Sequence, residues 1–264
     1  MKRRVLTVIK RTGAVARTWS GLAMTSGVRV LLYHSVGFQS REDRLGLSVS
    51  SAQFRDQMSW LADVQVPVLS VEGLVAGLAE GGALPGWGVV ISFDDGYLSA
   101  AEEAWPVLKA LGWPAVCFVS TGPKESDSKA YWSRWPRLSL EEWVALDAEG
   151  FTVGAHGVSH RPLTGLSASA LRAELVESRQ TLESVLGRPV RWLSYPHGSV
   201  NGPVLQATRE AGFNVGFTSR PGKVAVGGEL LAIPRIEVTA EDTLGDFQRK
   251  VRGAYDWLKV FKKS

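Results

Sequence analysis

From Val28 onward, short apolar runs alternate with amphipathic stretches, and this alternation constrains the fold more than any other feature of the chain. Strand candidates lie at residues 28–33, 66–69, 89–93, 115–119, 151–155, 192–195, 214–218 and 230–236. Helical periodicity occupies residues 51–61, 71–80, 97–111, 139–149, 167–186, 203–211 and 243–259. Apolar runs separated by helices describe parallel strands with crossover connections, because a parallel pair cannot be joined by a tight turn. Residues 28–264 are therefore expected to form one α/β domain, a distorted (β/α) barrel of about seven parallel strands. With 45% hydrophobic and 21% charged residues, the 264-residue chain can fill one such core and is not a disordered chain. No run of 18 apolar residues occurs, so no membrane-spanning helix is expected. Cys117 is the lone cysteine, which excludes an intramolecular disulfide framework and a multi-cysteine zinc module.

The formal net charge of +4 is unevenly placed. Residues 1–41 hold eight basic groups and no acid, which leaves 22 basic and 26 acidic residues in the remainder. The body is mildly acidic, so a nucleic-acid-binding groove across it is not expected. Residues 1–27 form a separate basic amphipathic segment. Its apolar face carries Val5, Val8, Ile9, Val15, Trp19 and Leu22, and Arg3, Lys10 and Arg17 line the other face. A helix at a membrane surface and a helix packed on the domain both fit this pattern, ahead of an organellar transit peptide. Lys10, Arg11 and Arg17 interrupt any signal-peptide core. The expected location is cytoplasmic, with residues 1–24 available for peripheral contact with the cytoplasmic membrane face.

All four histidines fall just past a strand candidate: His34, then His156 and His160, then His197. In a parallel barrel that is the end where active sites are built. The separation of His156 and His160 suits two ligands of one metal, although two loop histidines would also produce it. Gly154, Gly157 and Pro162 argue against a helical metalloprotease motif here. Asp94 and Asp95 close the apolar run 89–93. Adjacent carboxylates at the mouth of a buried strand repel each other unless a cation or proton relieves them, whereas an Asp-Gly turn needs only one. One aspartate on a metal beside its neighbour acting on water fits better. Two histidines and a carboxylate also leave coordination positions open, as hydrolysis requires. A glycosidase using both aspartates is disfavoured, since neighbouring strand residues should point to opposite sides.

With SFDDGY at 92–97, HGVSH at 156–160 and SYPHG at 194–198, the chain resembles the polysaccharide deacetylases of carbohydrate esterase family 4, the nodulation-type deacetylase domain. The resemblance runs over roughly residues 28–240, with the motifs in the family's order. It implies a distorted barrel and metal-dependent hydrolysis of N-acetyl groups on amino sugars of a polysaccharide or glycan precursor. By the same resemblance Asp94 is the general base, and Asp95, His156 and His160 hold one divalent ion: zinc first, with cobalt, nickel or iron as alternatives. Two departures stand out. Ser194 occupies the position where many members carry an arginine that tethers the base, and Arg235 is the candidate substitute. The family's C-terminal leucine–histidine motif is missing, while Leu31, Leu32, Tyr33 and His34 stand near the N-terminus. That order resembles the permuted branch containing the poly-N-acetylglucosamine deacetylases and makes His34 the general acid.

His197 replaces an aromatic residue of the family; its backbone N–H is a candidate oxyanion donor. Substrate contacts are expected from Tyr97, Tyr195, Pro196 and His197 within the motifs. Trp132 and Trp135, in the irregular stretch 120–138, are expected to hold sugar faces. A catalytically inactive carbohydrate-binding protein on the same fold is the competing reading, motivated by Ser194.

Overall fold

The computed structural model describes residues 25–38, 43, 45–80, 82–122 and 135–260. The expected helix at 1–24, and Trp132, lie outside the described residues. The seven main strands are β1 (Gly27–Tyr33), β4 (Trp87–Asp94), β5 (Ala115–Val119), β6 (Phe151–Ala155), β7 (Trp192–Ser194), β8 (Val215–Phe217) and β9 (Arg235–Glu237). They pair in the order β8-β7-β6-β5-β4-β1-β9, every pairing parallel. A parallel bridge between Phe217 and Ile233 links the two edges and nearly closes the barrel. Two short strands, β2 (Ser35–Val36) and β3 (Ser48–Val49), form a separate parallel pair.

Seven α-helices are described: α1 (Ser51–Asp63), α2 (Val71–Leu78), α3 (Trp105–Ala110), α4 (Leu140–Ala148), α5 (Ala168–Leu186), α6 (Gly202–Glu210) and α7 (Leu244–Val251). Each of six begins at a side chain that satisfies orphan backbone N–H groups: Ser50, Ser70, Ser139, Ser167, Asn201 and Thr243. The expected helix over 97–111 is instead a π-helical turn, Ala100–Ala104, running into α3, with Pro106 near the junction. The expected strand at 66–69 is reduced to a single bridge from Val68 to Val89, because Pro67 has no N–H to donate to a ladder. The run 230–236 divides into a 3-10 turn, Leu230–Ala232, and β9.

Alternation along the strands separates two apolar layers. Leu31, Tyr33, Val89, Ile91, Phe93, Cys117, Phe151 and Val153 belong to the layer shared with the surrounding helices. Val28, Val30, Val90, Val116, Phe118, Val215 and Phe217 face the barrel interior. Gly154 also faces inward, where a Cβ would lie 2.6 Å from the Phe118 ring, so this position excludes larger residues. Among the described residues no helix is long and apolar enough to cross a membrane.

Candidate active site and metal centre

A cavity of about 330 Å³ opens at the strand ends and is lined by His34, Asp94, Asp95, His156, His160, His197 and Arg235, with Leu45 and Leu47 on its wall. His34 directly follows β1, Asp94 ends β4 and His156 directly follows β6. The expected clustering of histidines and aspartates at the C-terminal strand ends is what the fold produces. Gly198 of the SYPHG motif also lines the cavity, with Ser219 and Glu237, which carried no signal in the sequence.

Asp95 and the two motif histidines converge. The Asp95 Oδ1 lies 3.2 Å from His160 Nε2 and 3.5 Å from His156 Nε2. All three are buried, and their ligand atoms fall within 4.8 Å of one another. The His156 Nδ1–H donates to the Ser194 carbonyl at 2.7 Å. A carbonyl can only accept, so the bare lone pair sits on Nε2, aimed at the cluster; this is the tautomer a metal ligand requires. Burial lowers the His156 pKa, Asp94 and Asp95 opposing, which favours the neutral ring. Two imidazoles and one carboxylate at this spacing suit a divalent transition ion such as zinc, and the site fits that group.

Neighbouring strand residues were expected to diverge, yet Asp94 and Asp95 line the same cavity. The strand ends at Asp94, and Asp95 turns back with φ of 81°, followed by Gly96. His160 and His197 are also left-handed, each at φ 58°. Non-glycine residues pay for this conformation, and three of the four in the described chain are at this site. The glycosidase reading is now opposed by different geometry, because each aspartate already has its own partners.

Asp94 is 4% exposed and Arg235 1% exposed. The guanidinium donates to both carboxylate oxygens, Nη1 to Oδ1 at 2.8 Å and Nη2 to Oδ2 at 2.6 Å. Ser194 Oγ donates to Asp94 Oδ2 at 3.0 Å and accepts from Arg235 Nη2 at 2.7 Å. Burial would raise the Asp94 pKa, but Arg235, with His156 and His34 behind it, overcomes that and holds it below the ordinary carboxylate value. β4, β7 and β9 are not neighbours in the sheet, so these three side chains meet because the sheet curls on itself. Arg235 thus occupies the role left open by Ser194.

Substrate-contact expectations fare differently. His197 is exposed on the cavity wall, its Nε2–H donating to the His160 carbonyl at 3.2 Å. Tyr97, Trp135, Tyr195 and Pro196 are buried and lie outside the lining of this cavity. Tyr195 donates its hydroxyl to the Leu231 carbonyl, and Trp135 packs edge-on against Tyr97. Among the described residues Phe38 is an exposed aromatic, its ring tilted against Trp135 with centroids 5.3 Å apart. His34 is half-buried, with Nδ1 shielded and without a hydrogen-bond partner among the described residues.

Barrel, cavity and motif residues together define a hydrolase of the deacetylase type. The family model for polysaccharide deacetylase matches residues 82–216, just over half of the chain, and the chain belongs to that family. Relatives include the poly-β-1,6-N-acetyl-D-glucosamine N-deacetylase of Staphylococcus aureus, 26% identical over 208 residues, covering 76% of this chain and 71% of the relative. The Escherichia coli K12 enzyme of the same name is 22% identical over 262 residues, covering 86% of this chain; the chain spans only 38% of its length. The structure of IcaB from Ammonifex degensii superposes with a TM-score of 0.74 at 27% identity, covering 87% of this chain and 97% of that one. Its relatives thus include poly-N-acetylglucosamine deacetylases, the enzymes whose branch the motif order resembles.

Proposed function

We propose that this chain is a metal-dependent N-deacetylase that removes acetyl groups from amino sugars of an N-acetylated polysaccharide or glycan precursor. One observation carries the reading: Asp94, buried and held ionised by Arg235, shares a cavity with the Asp95–His156–His160 cluster and His34. A divalent ion on that cluster, zinc before cobalt, nickel or iron, supplies Lewis-acid polarisation of the acetyl group when bound. Asp94 accepts a proton from the attacking water as its oxygen bonds to the carbonyl carbon. The carbon–nitrogen bond then breaks, His34 gives a proton to the departing nitrogen, and acetate and a free amine leave. Arg235 and Ser194 fix the orientation of Asp94, and His197 braces the backbone of His160. The names of the relatives support poly-N-acetylglucosamine as the substrate class. Phe38 and Leu45, 39% and 38% exposed, are proposed as apolar rests for sugar rings in place of the buried tryptophan. The basic segment 1–24 is proposed to contact an anionic membrane surface, with the chain on the cytoplasmic face.

Acetate release from N-acetylated glycans, with and without chelator, tests the reading. Release should stop on chelation and return with Zn²⁺. Full release by metal-free protein would overturn it. The motive for a binding-only protein was the missing arginine at 194, and Arg235 on Asp94 removes that motive.

A further inference from the structure

α5 presents a buried stripe at Leu171, Glu174, Leu175, Ser178 and Leu182. Four of these suit a helix packed on a barrel; a glutamate does not, because burying a carboxylate costs heavily unless it is fully partnered. Glu174 is 8% exposed, and its hydrogen-bond partners among the described residues are in the loop that joins His156 to His160. Its Oε2 accepts from the backbone N–H of Val158 at 2.8 Å and of Ser159 at 3.0 Å. Its Oε1 accepts from the Ser159 hydroxyl. A Cβ on Gly157, at φ 73°, would lie 3.0 Å from Oε2, so the glycine lets the loop close on the carboxylate.

The opposite side of the loop is tied to the end of β5. Thr121 N–H donates to the Gly157 carbonyl at 3.2 Å and Gly122 N–H to that of Val158 at 3.0 Å. Those bonds use the loop's carbonyls, and Glu174 takes the inward N–H groups at 158 and 159. The next residue is His160, in the left-handed region that an ordinary residue holds only when its surroundings over-determine it. We propose that Glu174 is a positioning residue for the metal centre, holding the 156–160 loop so that His160 is preset in its ligating conformation. The proposal rests on the reading that Asp95, His156 and His160 hold a cation. Glu174 touches neither substrate nor ligand atoms and acts through the loop backbone.

Three variants separate reach from charge: Glu174→Leu keeps the apolar stripe but removes both acceptors, Glu174→Asp keeps the charge but is one methylene short, and Glu174→Gln keeps the reach and can accept both N–H groups. The readouts are the Zn²⁺ dissociation constant by competition with a chelating dye, and hydrogen exchange of the peptide spanning 156–160 in metal-free protein. Glu174→Leu and Glu174→Asp should each weaken Zn²⁺ roughly 10- to 100-fold, the usual cost of losing an outer-shell partner, and speed exchange of that peptide. Glu174→Gln should stay within about threefold of wild type on both measures, since its hydrogen bonds survive. Should Glu174→Leu fail to fold, the Asp and Gln pair still decides. Wild-type affinity and exchange in Glu174→Asp would overturn the proposal, as would a loss in Glu174→Gln equal to that in Glu174→Asp. A wild-type protein that binds no Zn²⁺ would instead sink the metal-centre reading, while the exchange comparison would still report on Glu174 and the loop.

Discussion

Arg235 grips both oxygens of Asp94 across the barrel interior, although 141 residues separate them in sequence. A buried bidentate pair fixes orientation as well as charge. Asp94 is thereby presented to the cavity as a carboxylate in one geometry, while Asp95, its neighbour in sequence, turns away to the histidines.

Removing the arginine should reverse that control. In Arg235→Met the burial of Asp94 is no longer opposed by the guanidinium, so its pKa should rise and the acid limb of the kcat/KM profile should move to higher pH. Stability should fall by roughly 3–5 kcal/mol, the cost of breaking a buried pair from one side. The sign with pH follows from the lowered native pKa. The wild-type pair contributes fully above the unfolded carboxylate pKa of about 3.9 and is lost as pH falls through the depressed native value. An unmoved acid limb in folded Arg235→Met would show that Asp94 is not the titrating base.

The ligand set predicts a clean split among four variants. His156→Ala, His160→Ala and Asp95→Ala should each lose metal and activity together, because a three-ligand site has little redundancy. Asp94→Asn should keep metal and lose turnover, since its carboxylate is bonded to Arg235 and Ser194 and not to the cluster. Elemental analysis of the purified variants decides this, and loss of metal from Asp94→Asn would move Asp94 into the ligand set.

Nearer the start of β1 a second buried arginine, Arg29, ties the fold together. Arg29 donates to Asp256 and to the carbonyls of Thr25, Gly27 and Val251, tying the chain's last described turn to the first strand. Arg29→Met removes the guanidinium these acceptors share, leaving Asp256 with the Thr25 hydroxyl, and should cost roughly 3–5 kcal/mol in denaturant unfolding. Its kcat under native conditions should match wild type. A tenfold loss of kcat in folded protein would connect this end of the barrel to the chemistry.

Much of this was legible because apolar runs and chemistry-bearing residues are local signals. The strands at 115–119 and 151–155 have the bounds their apolar runs indicate, and His34, Asp94 and His156 follow from where strands end. Burial that depends on a distant partner was not legible. Trp135 falls in an irregular stretch whose sequence gives no sign that Tyr97 and Phe38 pack on its ring. The alternation rule failed at Asp95 because the strand stops one residue earlier. Glu174 did leave a trace, since it interrupts the apolar stripe of α5, but what it faces is a product of the fold.

The basic segment predicts association with anionic membranes. Six basic groups and no acid in residues 1–24 favour a negatively charged surface by roughly 1 kcal/mol per residue that reaches it. The full chain should co-sediment with vesicles containing phosphatidylserine, less so as salt rises, and a chain lacking residues 1–24 should not. Equal sedimentation of the two would refute the contact.

His34 is the remaining test of the chemistry. It follows β1 directly, lines the cavity with Asp94 and the metal cluster, and is the one cavity histidine that neither belongs to the cluster nor braces it, since His197 is spent on the His160 carbonyl. In the proposed reaction His34 is the histidine left to give a proton to the departing nitrogen. His34→Ala should therefore keep metal content and the melting profile while lowering kcat roughly 10²–10⁴-fold, the range for a positioned general acid. The loss should shrink for substrates whose leaving amine is less basic, because such a nitrogen departs with less help from a proton. Wild-type turnover by metal-loaded His34→Ala would place the acid elsewhere and undo the permuted assignment.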